Sequence, residues 1–155
     1  MGAATMIEVR RERLIDATPE ELWPLVSDPA RLPDWLTLAE RAEVIEGEGA
    51  GRRQRIYGHW GKKRSEIDQV VTAFEPPRLL EWRHEAERLD GKPAPRFAAE
   101  TRFSIRLEPE NGKTRVVLDS RQTPVGALQG LVMKLFARRQ VGQQLDRSLD
   151  RLAAR

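Results

Sequence analysis

Two histidines and the single tyrosine are the side chains of this chain best suited to proton transfer or to hydrogen bonding with a small molecule. Leu80, Trp82 and His84 alternate with charged residues, so all three share one face of a predicted strand. From that face His84 can donate to a carbonyl oxygen or act as a general base. Tyr57 and His59 share a parity on another predicted strand and could supply two further polar groups. The alternatives are a partly exposed His84 beside a loop and a tyrosine packed at a sheet edge.

Three carboxylates on neighbouring predicted strands, Glu66, Asp68 and Glu81, could include a general acid–base pair. Such a pair needs environments that push its two pKa values apart. Arg64 and Arg83 are interleaved with these acids, which favours solvent-exposed ion pairs across strands on the outer face of a sheet. Two histidines without acidic partners at ligand spacing argue against a metal site. We therefore assign no catalytic residue, no metal site and no cofactor.

The elements that must position these side chains begin with one strand, predicted over residues 6–15, and two short helices. Thr18 is a typical helix N-cap, Pro19 suits the first helical position, and Glu21 can complete a capping box. Asp28-Pro29 repeats the cap-and-proline arrangement and predicts a second short helical turn. The sequence thus predicts one strand followed by two helical stubs.

Six further strands are predicted, because apolar and polar residues alternate between turn signals. Gly47–Gly51 and Asn111-Gly112 have the backbone freedom that hairpins need, and Pro76-Pro77 ends a strand because proline cannot donate to a ladder. The clearest alternation places Phe97, Ala99, Thr101, Phe103, Ile105 and Leu107 on one face. The six strands span residues 41–47, 52–60, 65–74, 79–86, 97–107 and 114–121.

A change of hydrophobic period from two to 3.6 predicts a closing helix of about 28 residues. At 1.5 Å per residue this helix would be roughly 40 Å long, so it must lie along a large concave surface. Its glycines, Gly126, Gly130 and Gly142, cost up to about 1 kcal/mol each in a helix, which a close approach to the sheet or a bend would explain. The apolar stripe consists of Leu128, Leu131, Val132, Leu135, Val141, Leu145, Leu149 and Leu152.

Composition bounds the classes of function. A length of 155 residues fits one domain, and no apolar run approaches the roughly 20 residues that span a bilayer. The chain has no cysteine and its first residues lack the regions of a signal peptide, so we expect a cytoplasmic protein. Of the net charge of +3, residues 126–155 carry +4. The basic residues at 52–55 and 62–64 could meet phosphates or an anionic membrane, but no stacking aromatics interleave them, which argues against nucleic-acid binding.

Several local motifs resemble those of the START-like (SRPBCC) superfamily, particularly its bacterial polyketide cyclase/dehydrase-type members. They are Ile15-Asp-Ala-Thr-Pro-Glu-Glu-Leu-Trp23, Leu32-Pro-Asp-Trp35, Phe74-Glu-Pro-Pro-Arg-Leu-Leu-Glu-Trp82 and the closing helix. The resemblance covers essentially the whole chain from about residue 6 and implies an α+β helix-grip fold. In this fold a seven-stranded antiparallel sheet curls around the long C-terminal helix, with two short helices after strand one and a cavity between sheet and helix. Pro24 departs from the pattern, since it would cost the first short helix a backbone bond.

Members of this superfamily bind lipids, sterols, polyketides, quinones or plant hormones, and some catalyse cyclisation or dehydration. The resemblance therefore implies a small hydrophobic ligand, with no family active site to carry over. One alternative is a cyclase or dehydratase with His84 or Tyr57 as proton shuttle. Another is a protein-partner role through the sheet edge or the long helix, and the oligomeric state stays open. Ordinary core packing is the alternative for each candidate ligand-binding residue: Trp35, Tyr57, His59, Trp82, His84, Thr101, Phe103, Leu128, Val132, Leu135 and Phe136.

Overall fold

An antiparallel sheet curled around a C-terminal helix forms the body of the protein, as the resemblance implies. The computed structural model describes residues 5–95 and 98–155, so the predicted place of Phe97 lies outside the described residues. The strands are β1 (Ile7–Ile15), β2 (Arg41–Glu46), β3 (Arg53–Trp60), β4 (Lys63–Glu75), β5 (Leu79–Leu89), β6 (Lys92–Pro93), β7 (Ala98–Glu110) and β8 (Lys113–Pro124). Their order in the sheet is β1-β8-β7-β5-β4-β3-β2, and the two-residue β6 pairs with β5. The seven long strands confirm the prediction.

The two predicted helical stubs form α1 (Pro19–Ser27) and a 3-10 helix (Pro29–Asp34). The predicted capping box is present: the Glu21 amide donates to the Thr18 hydroxyl over 3.2 Å, and the Thr18 amide donates back to the Glu21 carboxylate over 3.2 Å. Pro24 lies inside α1 without ending it, so the helix tolerates the missing backbone donor.

The core lies between the inner face of the sheet and the second half of the C-terminal helix. The inward parity is largely apolar on β7 and β8, which is why these strands alternate in sequence, whereas on β1 it also includes Arg11 and Arg13. Arg11 pairs with Asp146 over 3.5 Å and Arg13 pairs with Asp150, so the helix is aligned along β1 by charge as well as by packing. The main core residues are Val9, Ile15, Leu80, Trp82, Ile105, Leu107, Val116, Leu118, Leu145, Leu149 and Leu152.

The predicted closing helix forms as three consecutive parts: α2 (Ala127–Phe136), a π-helical turn (Ala137–Val141) and α3 (Gly142–Ala153). The wider turn takes up one extra residue, which rotates α2 by about 100° relative to α3. As a result α3 buries Leu145, Leu149 and Leu152, whereas Met133 is the one buried side chain among those described in α2. The apolar stripe of the sequence is therefore not one continuous core face. Among the described residues no helix has the length and apolar character needed to cross a bilayer.

Candidate functional site

A chamber of about 120 Å³ lies between the inner face of the sheet and the C-terminal helix. Four predicted residues meet at its wall: Trp82 and His84 from β5, and Thr101 and Phe103 from β7. The other lining residues, which sequence reasoning did not single out as a site, are Leu36, Leu38, Ile56, Ile67, Gln69, Ser120, Gln122, Val141 and Leu145.

Strand register brings these residues together from distant parts of the chain. Trp82 is directly opposite Phe103, and their rings lie 5.1 Å apart at 31°. Phe103 is in turn opposite Ser120 on β8, and His84 is opposite Gln69 on β4. Ile56 on β3 is likewise opposite Ile67 on β4. Side chains that are opposite across neighbouring antiparallel strands share a face, so five strands contribute to one wall.

The polar side chains that line the chamber are amides, hydroxyls and one imidazole. They are Gln69, His84, Thr101, Ser120 and Gln122, and no Asp, Glu, Lys or Arg is among its described lining residues. The Nδ1 atom of His84 is buried without a hydrogen-bond partner among the described residues, since Glu87 Oε1 lies 3.7 Å away. A buried polar atom without a partner marks a position where a ligand group or a water can bind.

A series of buried, hydrogen-bonded polar side chains ends at the chamber wall. The Arg52 guanidinium, 8% exposed, donates through Nε to Gln54 Oε1 over 3.2 Å and through Nη2 to the Ser27 carbonyl over 3.1 Å. Gln54 Nε2 then donates to Gln69 Oε1 over 2.8 Å, which leaves the amide NH₂ of Gln69 as its donor group. Burial lowers the pKa of Arg52, and the negative charge of Asp28 partly opposes that effect.

The suggestion that the basic residues at 52–55 could meet phosphates or an anionic membrane is therefore wrong for Arg52, which is buried. Arg52, Gln54 and Ile56 share the inward parity of this part of the chain, and a buried strand face normally excludes an arginine. The sequence feature that could have identified Arg52 as buried is that it shares a strand face with Ile56.

A groove of about 290 Å³ lies beside the C-terminal helix. Gln122 and Val141 line both spaces, so the groove and the chamber adjoin. Two residues predicted to line the cavity floor, Val132 and Phe136, lie at this groove instead of at the chamber. The remaining groove residues are Trp60, Met133 and Gln140.

Tyr57 and His59 lie on the outer face of the sheet, contrary to the expectation that they supply polar groups to the cavity. The alternate parity of β3 faces the core, so these two side chains must point outward. Tyr57 donates to Glu43 and packs beneath the Arg41 guanidinium, 3.9 Å from its ring centre. His59 Nδ1 lies 2.7 Å from the Glu40 carboxylate.

Three other predicted residues do not line the chamber. Trp35 is fully buried, and its indole Nε1 donates to the Leu25 carbonyl over 3.0 Å, so it packs as a core residue. Leu128 and Leu135 are each 71% exposed, because the π-helical turn directs their face of α2 away from the sheet.

The carboxylates on the outer face form ion pairs, as predicted, rather than an acid–base pair. Asp68 accepts from Arg55 over 2.6 Å and from Arg88 over 2.9 Å, while Arg88 also donates to Glu66 over 3.1 Å. Burial works to raise the pKa of Asp68, but the hydrogen bonds from Arg88 and Arg55 lower it. The partners differ from those expected.

Glu81 pairs with Arg102 over 3.2 Å, and no described ion pair includes Arg64 or Arg83. The choice of partner follows the register between strands, which places Arg102 and Arg88 nearer these carboxylates than the arginines that neighbour them in sequence.

Comparison with known proteins assigns the chain at the level of family and fold. A family model described as polyketide cyclase/dehydrase and lipid transport matches residues 6–155. The protein TTHA0849 from Thermus thermophilus is 21% identical over 96% of this chain and 95% of its own, with a TM-score of 0.73. A START superfamily protein from Mycobacterium smegmatis is 14% identical over 95% and 94%, with a TM-score of 0.72. Ara h 8.0201 is 13% identical over 97% of each chain, with a TM-score of 0.71. No curated protein matches the chain.

Proposed function

The chain belongs to the polyketide cyclase/dehydrase and lipid-transport family, and from this premise we propose that it binds a small hydrophobic molecule between the sheet and the C-terminal helix. The observation that carries the proposal is the apolar chamber with its adjoining groove. Ligand sites are concave and mostly apolar, with a few polar groups that orient the ligand. The chamber walls have this composition.

The geometry supports a ligand with a compact neutral head and an apolar body. The chamber, about 120 Å³, is smaller than the roughly 300–1,000 Å³ of a whole ligand site, so it accommodates only one end of a ligand. His84 and Gln69 offer hydrogen bonds there, but no cationic side chain among the described lining residues can pair with a carboxylate. Burial of an unpaired carboxylate is costly, so the head is an alcohol, phenol or ketone and the body lies in the groove.

Matched pairs of probes test this proposal: 2-naphthol against 2-naphthoate, and 1-decanol against decanoate, titrated by calorimetry. We expect the neutral member of at least one pair to bind at least tenfold more tightly than its carboxylate, about 1.4 kcal/mol. Mass spectrometry of an organic extract of the purified protein adds an unbiased measurement. If carboxylates bind more tightly in both pairs, or no probe binds and no molecule is extracted, the proposal fails.

A chamber-filling substitution locates the site. Ser120→Leu adds apolar volume on the inner face of β8 and should lower ligand affinity at least tenfold. Ser104→Leu is the matched control, because Ser104 lies on the neighbouring strand β7 with the opposite parity, between the inward-facing Phe103 and Ile105. Equal affinity losses in the two variants would place the ligand elsewhere.

A cyclisation or dehydration reaction is a second candidate function, favoured by the buried Nδ1 of His84 at the chamber wall, which has no hydrogen-bond partner among the described residues. Tyr57, the other proton shuttle considered from the sequence, lies on the outer face and is not proposed. His84→Ala should lower turnover of a polyketide-like substrate by about 10²–10⁴ while leaving the fold intact. Unchanged turnover would exclude His84 from the chemistry.

A further inference from the structure

The first half of the C-terminal helix exposes an unusual amount of apolar surface. Leu128 and Leu135 are each 71% exposed, and Leu131 and Phe136 are 60% and 59% exposed. At 100° per residue these side chains, with Val132, cover an arc of about 140° that faces away from the sheet. A helix that is apolar all round is normally buried, and a contiguous exposed apolar patch marks an interaction site.

A tryptophan extends this surface across the groove. Trp60, at the end of β3, is 62% exposed and lines the same groove as Val132 and Phe136. Tryptophan is enriched at membrane–water interfaces, because its ring is apolar and its N–H is polar. We name this surface the docking face and define it by Trp60, Leu128, Leu131, Val132, Leu135 and Phe136.

The charge around the docking face is mostly positive. Glu8 lines a pocket with Leu131, Lys134 and Arg138, but its carboxylate pairs with Arg121 over 3.1 Å. Residues 122–145 contain no aspartate or glutamate but include Lys134, Arg138 and Arg139, and Lys62 and Lys63 follow Trp60 in sequence. Within residues 5–95 and 98–155, no ion pair includes any of these five cations. A twofold dimer through this face would bring the same cations of two copies together, which disfavours a second copy as its occupant.

We propose that the docking face binds the surface of an anionic lipid bilayer. The exposed side chains of α2 and Trp60 insert among the acyl chains near the headgroups, and the surrounding cations contact anionic phosphates. The helix lies in the plane of the interface, with the exposed apolar face of α2 toward the acyl chains. The groove that adjoins the chamber lies within this face. The inference does not depend on the proposed function, because it concerns the outside of the groove.

Sedimentation of the purified protein with vesicles tests the proposal directly. Vesicles of phosphatidylcholine mixed with phosphatidylglycerol should bind it at least tenfold more tightly than phosphatidylcholine alone. That preference should weaken as salt rises from about 0.05 to about 0.5 M. Brominated acyl chains should quench tryptophan fluorescence in the bound protein, and Trp60→Phe should remove most of the quenching. Binding to neither vesicle, or equal binding to both, would overturn the proposal.

Variants distinguish binding through the docking face from nonspecific adsorption to vesicles. The double variant Leu128→Gln, Leu135→Gln alters two exposed side chains and should weaken vesicle binding at least tenfold with the circular dichroism spectrum unchanged. Arg138→Gln with Arg139→Gln should weaken binding to anionic vesicles by about tenfold. Leu14→Gln, at a 41% exposed position on β1, is the control and should bind as the parent does. Unaltered vesicle binding by the double leucine variant would contradict a lipid occupant. So would a dimer of the parent protein that this variant loses while it keeps its vesicle binding.

Discussion

Arg52 is buried and has no carboxylate ion-pair partner among the described residues, and it shows how a single residue can organise the site. The guanidinium of Arg52 hydrogen-bonds to Gln54 and to the Ser27 carbonyl, so it joins the end of α1 to the inner face of the sheet. Through Gln54 it also orients Gln69 at the chamber wall. A buried charge is tolerated only when its donors are satisfied, which explains why two neutral acceptors accompany it.

Removal of this side chain should destabilise the protein. Arg52→Ala leaves the Gln54 and Ser27 oxygens without their donor, so we expect a loss of about 2–3 kcal/mol in the free energy of unfolding. Its neighbour Arg53 has a side chain 53% exposed and makes only surface ion pairs, so Arg53→Ala should change that free energy by less than about 1 kcal/mol. Urea unfolding measures both values. Similar losses in the two variants would contradict the role given to Arg52.

Asp119 is a second residue whose environment decides its behaviour. It is 5% exposed on β8, one carboxylate oxygen has no hydrogen-bond partner among the described residues, and the other pairs with Arg121 over 3.0 Å. Burial, and secondarily the proximity of Glu8, raise the pKa of Asp119, although the charge of Arg121 opposes this. The folded state therefore holds a proton on Asp119 more tightly than the unfolded state does.

This pKa shift predicts that the stability of Asp119→Asn relative to the parent protein increases as pH rises. As pH rises from the ordinary value of 3.8 through the raised folded-state pKa, ionisation of the buried carboxylate removes stability from the parent protein. Asparagine does not ionise, so the free energy of unfolding of the variant relative to the parent should increase between about pH 4 and about pH 8. Urea unfolding at the two pH values measures the change. A difference that stays constant or falls would show that Arg121 outweighs burial.

At the scale of elements, close backbone contacts fix how the segment after the 3-10 helix meets the sheet. A Cβ atom on Gly58 of β3 would lie 2.6 Å from the Leu38 carbonyl oxygen, which is rigid backbone. The Glu40 amide donates to the Tyr57 carbonyl over 2.8 Å at the same place. The predicted close approach at Gly142 is also present, but there the neighbour is the mobile end of Arg11.

The same substitution should therefore have different effects at the two glycines. Gly58→Ala must displace backbone, and we expect a loss of about 1–3 kcal/mol in the free energy of unfolding. Gly142→Ala displaces only the Arg11 guanidinium and gains up to about 1 kcal/mol of helix propensity, so its net change should be within about 1 kcal/mol. Thermal or urea unfolding compares them. An equal loss at Gly142 would mean that Arg11 cannot move aside.

At the scale of the whole molecule, stability is distributed unevenly along the C-terminal helix. The α3 segment buries Leu145, Leu149 and Leu152, and Ser148 accepts a hydrogen bond of 3.0 Å from the Thr37 amide. The α2 segment buries only Met133 among its described side chains. Local opening costs least where few apolar contacts are lost, so the two halves of one continuous helix should open separately.

Hydrogen exchange measures this difference. We expect backbone amides of residues 131–136 to exchange at least tenfold faster than those of residues 146–152. Vesicles that contain phosphatidylglycerol should slow exchange in the first segment and leave the second unchanged. Uniform exchange along both segments would mean that α2 is held by contacts other than those of its side chains.

The sequence alone determined the types and order of the elements, because these depend on neighbours in the chain. The Thr18 capping box, the Asn111-Gly112 turn and the alternation around Phe103 and Ile105 each act over a few residues, and each is found in the structure. The same alternation correctly placed Trp82 and His84 on one inner face with Thr101 and Phe103. Periodicity depends on residues close together in the chain, so it can be recognised without any knowledge of the fold.

Only the tertiary structure decided which face of β3 and of α2 points inward. In β3 both parities mix polar and apolar residues, so packing against Trp82 and α3 selected Gln54 and Ile56 and turned Tyr57 outward. In α2 the π-helical turn rotated the leucine face away from the sheet. The chamber likewise joins residues of five strands through register, a relation between distant segments. Facing and register depend on contacts between elements, whereas periodicity within one element is compatible with more than one orientation.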